Sequence, residues 1–147
     1  MSPRILALVI ALVAGVSMAI QGSINTKLGQ VIGNWEAIFV VQVVGLATIL
    51  ILLFVFGIGK GNLGRMAQGP WYSPLGGLIG VLIVWGVVFS IPKLGVAVAT
   101  TSIIVGQTLT ALIIDHFGLF GLSPVPFTWL KALGLVLLAA GAGLLLG

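Results

Sequence analysis

The sequence predicts an all-α integral membrane protein with five transmembrane helices, and three observations carry that expectation. Sixty per cent of the 147 residues are hydrophobic. Only 5% are charged, against about a quarter in soluble domains. The formal charges, Arg4, Lys27, Glu36, Lys60, Arg65, Lys93, Asp115 and Lys131, are spaced so that five long apolar stretches fall among them. A water-soluble protein with one core is excluded. Because a span takes about 20 residues, five spans and their loops occupy residues 1–147 as a single transmembrane domain and leave no room for a soluble catalytic domain. The chain has no cysteine, which excludes disulfides, thiol catalysis and thiolate metal sites. The lone His116 cannot hold a metal by itself, so neither metal nor cofactor is expected. The net charge of +4 would suggest nucleic acid in a soluble protein. Here the cations lie at span ends, where they set orientation and meet lipid headgroups, and no nucleic-acid partner is expected.

The spans are expected near residues 5–27, 36–57, 74–92, 95–117 and 128–147. No charge falls between Arg4 and Lys27; this first stretch also imitates a signal peptide ending in Ser17-Met18-Ala19, but four more spans follow it, so it is read as a span. Trp35 leads the second span at interface depth, and Gly57, Gly59 and Gly61 close it. Ser73-Pro74 places a cap and a first-turn proline before the third span, which closes at Pro92-Lys93. Pro124 and Pro126 mark the loop between the fourth and fifth spans. Trp71, Tyr72 and Trp129 sit at span ends as an aromatic belt, whereas Trp85 falls inside the third span. Arg4, Lys60, Arg65 and Lys131 share one side of the membrane and Lys27 and Lys93 the other. That small bias favours a cytoplasmic N-terminus and is also what a chain inserting in both orientations would show. With an odd number of spans, two oppositely inserted copies are related by an axis in the membrane plane, the arrangement with which inverted repeats build alternating access.

Gly59-Lys60-Gly61-Asn62-Leu63-Gly64 satisfies G-x-G-x-x-G, but it follows a membrane helix rather than a strand and is read as a loop without a nucleotide site. Polar residues inside spans carry more information, because an unpaired polar group in hydrocarbon costs several kcal/mol and turns toward protein or water. Ser17, Gln21 and Asn25 recur every four residues in the first span. Gln107 lies near the middle of the fourth, with Thr100 on its face and Thr101, Thr108 and Asp115 on another; Gln42 and Thr48 of the second span are further lining candidates. Such stripes either bond between helices or line a cavity, and with two striped spans the cavity is favoured. The candidate substrate-binding set is Ser17, Gln21, Asn25, Trp85 and Gln107. Glu36 suits the positive N-terminus of the second helix. Asp115, at the unfavourable end of the fourth, calls for a partner in His116 or Lys131, and the Asp115-His116 pair is a candidate for coupling movement to protons.

The run from Gly106-Gln107 through Leu112-Ile113-Ile114-Asp115-His116-Phe117-Gly118-Leu119-Phe120-Gly121 resembles the signature of the YdcZ-like small membrane proteins of the drug/metabolite transporter superfamily. Gln21 and Asn25, Gly76-Gly77 with Gly80, and Lys131 with Gly134 also fall where that pattern puts them, so the resemblance covers essentially the whole chain. Larger members of that superfamily carry ten spans as two inverted five-span repeats. The resemblance therefore implies one repeat, a half-transporter acting as an antiparallel dimer with a second copy or a paralogous subunit, with the site between the two. The related four-span multidrug exporters use a glutamate in their first span, which this chain lacks.

The expected function is a small-molecule transporter, a secondary active exporter of the inner membrane working by alternating access. The alternative is a non-transporting accessory or assembly subunit, whose polar stripes would be protein contacts. An enzyme is not expected: Asp115, His116 and Ser102 or Ser123 make a triad only in composition.

Overall fold

The computed structural model describes residues 2–146. Its element order is α1 (Pro3–Ile32), α2 (Asn34–Leu50) prolonged by a π-helical turn (Ile51–Val55), a 3-10 turn (Leu63–Gln68), α3 (Leu75–Leu94), α4 (Val96–Phe117), a 3-10 turn (Leu119–Gly121) and α5 (Trp129–Leu146). Five helices are long and apolar enough to cross a membrane. The last residue of the fifth expected span, Gly147, lies outside the described residues.

The first helix is longer than its apolar run. It starts where the Ser2 hydroxyl accepts the Ile5 amide and Pro3 supplies a preset φ. It continues past Lys27 to Ile32, 30 residues or about 45 Å, because one lysine near a helix end can reach the interface along its own stem. What stops it is Gly33, at φ +101°. This glycine closes α1 by donating its amide to Gly29 O and opens α2 by accepting from Ala37 N, both at 3.0 Å. The first connection is therefore one residue long and sets α1 and α2 side by side as a helical hairpin.

At its far end α2 loosens before it stops. Phe56 N reaches Ile51 O and Ile58 N reaches Leu52 O, each at 3.1 Å, and Gly57 then turns the chain at φ +60°. Backbone bonds spanning three residues, Leu75 N to Tyr72 O, Gly76 N to Ser73 O and Gly77 N to Pro74 O, wind the entry into α3. Pro92 lies inside the last turn of α3. The proline lacks an amide and disfavours helical geometry in the residue before it, so the helix ends within a few residues.

Close packing divides the chain into two units, one up to Pro92 and one from Lys93 on. In the first, α1 pairs with α2 and meets α3, and Ala37, Ile38, Val88 and Ile91 are its buried apolar side chains. In the second, α4 pairs with α5, and the small residues Ala99 and Ala142 are buried.

Candidate functional site

In the first unit the α1 surface that packs is built from small residues. A Cβ on Gly22 would lie 2.8 Å from Val87 Cγ1, and one on Gly29 would lie 2.9 Å from both Val88 Cγ1 and Asn34 Oδ1. Between them Thr26 is buried, and its hydroxyl has no hydrogen-bond partner among the described residues. This Gly22-Thr26-Gly29 face was not singled out from the sequence. Its signal was available, since small residues at four- and three-residue spacing permit close helix approach.

The polar stripe of α1 winds across the edge of that face. Ser17 is exposed and donates to Val13 O of its own helix at 2.9 Å. Gln21 is exposed one turn on, and Asn25 is buried a turn further. Gln21 and Asn25 do come together, in a cleft walled by Met18 and Gly22 of α1 and by Ile83, Val84 and Val87 of α3. The cleft measures about 40 Å³. That holds a water or two and falls far short of the roughly 300 Å³ at which organic ligand sites begin.

Trp85 does not line this cleft. Successive α3 residues step about 100° around the axis, so Val84 turns toward α1 while Trp85 sits on another face of the helix. There it stacks on Trp35 with ring centres 6.1 Å apart and planes 22° from parallel, and on Phe89 at 5.2 Å and 17°. The four-residue step from Trp85 to Phe89 was legible in the sequence; Trp35, read there as an interface anchor, was not recognised as part of the stack. Glu36 lies in the first turn of α2, as its charge and the helix N-terminus require, and its carboxylate folds back over Gly33.

In the second unit most of the polar side chains of α4 are satisfied at home. Thr101, Ser102, Thr108 and Thr110 each donate to the carbonyl four residues back, at 2.8 to 2.9 Å. Gln107 is exposed, 11 residues into a 22-residue helix and so about halfway along it. At the end of α4, Gly118 adopts φ +60° and the following loop folds back, with Val125 N donating to Asp115 O at 2.7 Å. Asp115 is half-buried, and no ion pair joins its carboxylate to His116 or Lys131 among the described residues. Lys131 instead donates its ammonium to Pro126 O at 2.9 Å. His116 stands edge-on to Phe117 and Phe127, with ring centres 4.8 and 6.5 Å away. Below it lies a hollow of about 280 Å³, walled by Leu109, Leu112, Ile113 and Phe117 of α4 together with Phe127 and Leu135. Sequence reasoning did not find this hollow. Its α4 wall follows the helical repeat, but the other wall joins Phe127 of the returning loop to Leu135 of α5.

A sequence model of the family described as "Putative inner membrane exporter, YdcZ" matches residues 6–144. No curated protein and no solved structure matches the chain. The match spans nearly the whole chain, which therefore belongs to this family of inner-membrane proteins. With five helices able to span a bilayer, the protein is a multi-pass inner-membrane protein.

Proposed function

We propose that this family member is a transporter protomer that carries a small organic molecule by alternating access, paired with an oppositely inserted second copy or a paralogous subunit. Gln21, Asn25 and Gln107 orient the solute along the pathway. The observation that carries this reading is the exposure of two amide side chains deep within spans. Gln107 lies about 16 Å along α4, and Gln21 about 16 Å from the end of α1. An amide facing hydrocarbon at that depth costs several kcal/mol unless water or protein meets it. The alternation supplies both: water when the pathway is open, and solute or the facing protomer when it is closed.

The 40 Å³ cleft at Gln21 and Asn25 fits the same reading. A site too small for substrate within one protomer is completed by a second, which is how inverted repeats place their sites at the repeat interface. No carboxylate lines the cleft, so the reading favours neutral or zwitterionic solutes as readily as cations. Asp115 and His116 stay candidates for proton coupling through their place near the end of α4. In the accessory-subunit alternative the same amides would only meet protein.

Two experiments test this. Single cysteines replacing Gln30 and Gln68 in this cysteine-free chain, labelled from one side with an impermeant thiol reagent, should each react in about half of the molecules if the chain inserts both ways. Labelling of one orientation alone would assign the inverted copy to another polypeptide. Vesicles containing the full chain, screened for export of a metabolite mixture, should lose transport when Gln21 and Gln107 are both replaced by Leu. Unchanged transport in that double variant would remove the amides from the pathway.

A further inference from the structure

The hollow between α4 and α5 has a shape and a chemistry that the transport reading does not use. Its α4 wall, Leu109, Leu112, Ile113, His116 and Phe117, follows the three- and four-residue steps of one helical face. Between Leu109 and His116 it runs seven residues, about 10 Å along the axis. His116 is the second-last residue of α4, so the hollow begins at headgroup depth and descends into the hydrocarbon layer. Apart from His116, the lining is wholly aliphatic and aromatic. Its volume of about 280 Å³ is nearly twice that of a dry apolar cavity able to take up benzene, about 150 Å³.

One polar residue, His116, belongs to the lining, and the charge of Lys131 lies close to the lining residue Phe127 in the chain, beyond the lining itself. The His116 ring makes no hydrogen bond among the described residues, and it meets Phe117 and Phe127 in T-shaped pairs. Phe127 touches it from the loop, and the neighbouring Pro126 carbonyl holds the Lys131 ammonium at 2.9 Å. A histidine and a lysine thus contact one dipeptide, Pro126-Phe127, of which Phe127 lines the hollow. One carbonyl occupies only one of the three ammonium donors. Asp115, half-buried one residue before His116, is the single opposing charge nearby in sequence.

We propose that this hollow binds an anionic phospholipid of the surrounding bilayer, with an acyl chain along Leu109, Leu112, Ile113 and Leu135 and the phosphate held by His116 and Lys131. Basic pockets between membrane helices select anionic headgroups in this way. An apolar trough beneath donor groups at the membrane interface matches a lipid in both position and polarity. The proposal does not depend on the transport reading, since none of Gln21, Asn25 and Gln107 lines the hollow.

Native mass spectrometry of the detergent-purified full chain, titrated with phosphatidylglycerol or with phosphatidylcholine of identical acyl chains, tests it. Phosphatidylglycerol should saturate at one per chain and bind at least about fivefold tighter, since one lysine near an anionic headgroup contributes about 1 kcal/mol. Lys131→Gln should lower that affinity about fivefold and leave phosphatidylcholine unchanged. Asp115→Asn should raise it, and Ile113→Trp should abolish binding by filling the trough. Equal binding of the two lipids, indifferent to Lys131→Gln, would reduce the hollow to ordinary lipid contact and overturn the proposal. Displacement of phosphatidylglycerol by equimolar decanoate would overturn it in favour of a free single-chain solute. Loss of dimers in Ile113→Trp without added lipid would overturn it in favour of a protein contact. Lys131→Gln, which leaves the apolar wall intact, keeps the test decisive if the tryptophan variant does not fold.

Discussion

The two units are built from the same glycine-rich, charge-poor composition, and they differ in two glycines of α1. In the first, two glycines of α1 are packing devices: Gly22 and Gly29 let α3 come so near α1 that a methyl group in their place would press on Val87 or Val88, while Gly15, Gly45, Gly76, Gly77, Gly80 and Gly86 have open space. In the second, Gly106, Gly134, Gly141 and Gly143 have open space where a Cβ would be, and the distinctive feature is a hollow between α4 and α5 to which the returning loop adds Phe127. Glycine content alone therefore does not say where helices touch. A glycine is needed for packing only where another backbone or branched side chain fills the space that it vacates.

The sharpest way to break this contrast is at Gly29. Gly29→Ala should destabilise the protein by about 2–3 kcal/mol, because overpacking forces Val88 and Asn34 aside together. Unfolding of the reconstituted protein by denaturant titration would show it, and an unaffected midpoint would mean that α3 shifts freely on α1. Val88→Ala comes next, at about 2 kcal/mol, since Val88 is only 1% exposed and truncation leaves a cavity. Leu135→Ala, beside a hollow that already exists, should cost clearly less in the same titration. Equal losses would mean that the hollow is filled and packed.

Thr128→Ala should cost about 1 kcal/mol, because the Thr128 hydroxyl accepts the Lys131 amide at 3.3 Å at the start of α5. Faster amide exchange confined to residues 129–132 would be its signature, and exchange spreading through α1 would show that the units unfold together. Thr26→Val keeps the shape and removes an unpaired buried hydroxyl, so stability should stay level or rise by up to about 1 kcal/mol. A loss there would reveal a partner for the hydroxyl, such as a bound water. Smallest of all, Gly106→Ala should stay within about 1 kcal/mol of the parent. A drop as large as that of Gly29→Ala would show that the open face of α4 is covered in the membrane, and would measure the partner that covers it.

The polar stripe of α1 shows where pattern reading reaches its limit. Residues four apart turn 400° about a helix, 40° beyond a full circle. Ser17, Gln21 and Asn25 therefore drift by about 80°, from an exposed position to a buried one. Spacing alone places them on one side of α1, but which end of the stripe is buried depends on where α3 lies. Similarly, Trp85 stands out in the sequence as an aromatic inside a span, while its stacking partner on α2 is set by the one-residue turn at Gly33.

Composition and charge spacing by themselves determined that this chain is all helical, spans the bilayer five times and presents amides within its spans. The reason is that a bilayer leaves a polar backbone almost no alternative to the helix, and a charge is costly anywhere but near a span end or in a protein interior. Helix ends were legible to within a few residues where a proline or a glycine stands at the expected boundary, and were missed at the end of α1, which Gly33 rather than Lys27 stops. Tertiary structure alone decided that Gly22 and Gly29 pack while Gly106 does not, that Lys131 turns to Pro126 rather than to Asp115, and that a hollow opens beneath His116. The first and the last depend on contacts between residues far apart in the chain, and the Lys131 contact on how the loop before α5 folds. Inside a membrane, where apolar burial scarcely distinguishes one helix face from another, shape and hydrogen bonding select among them.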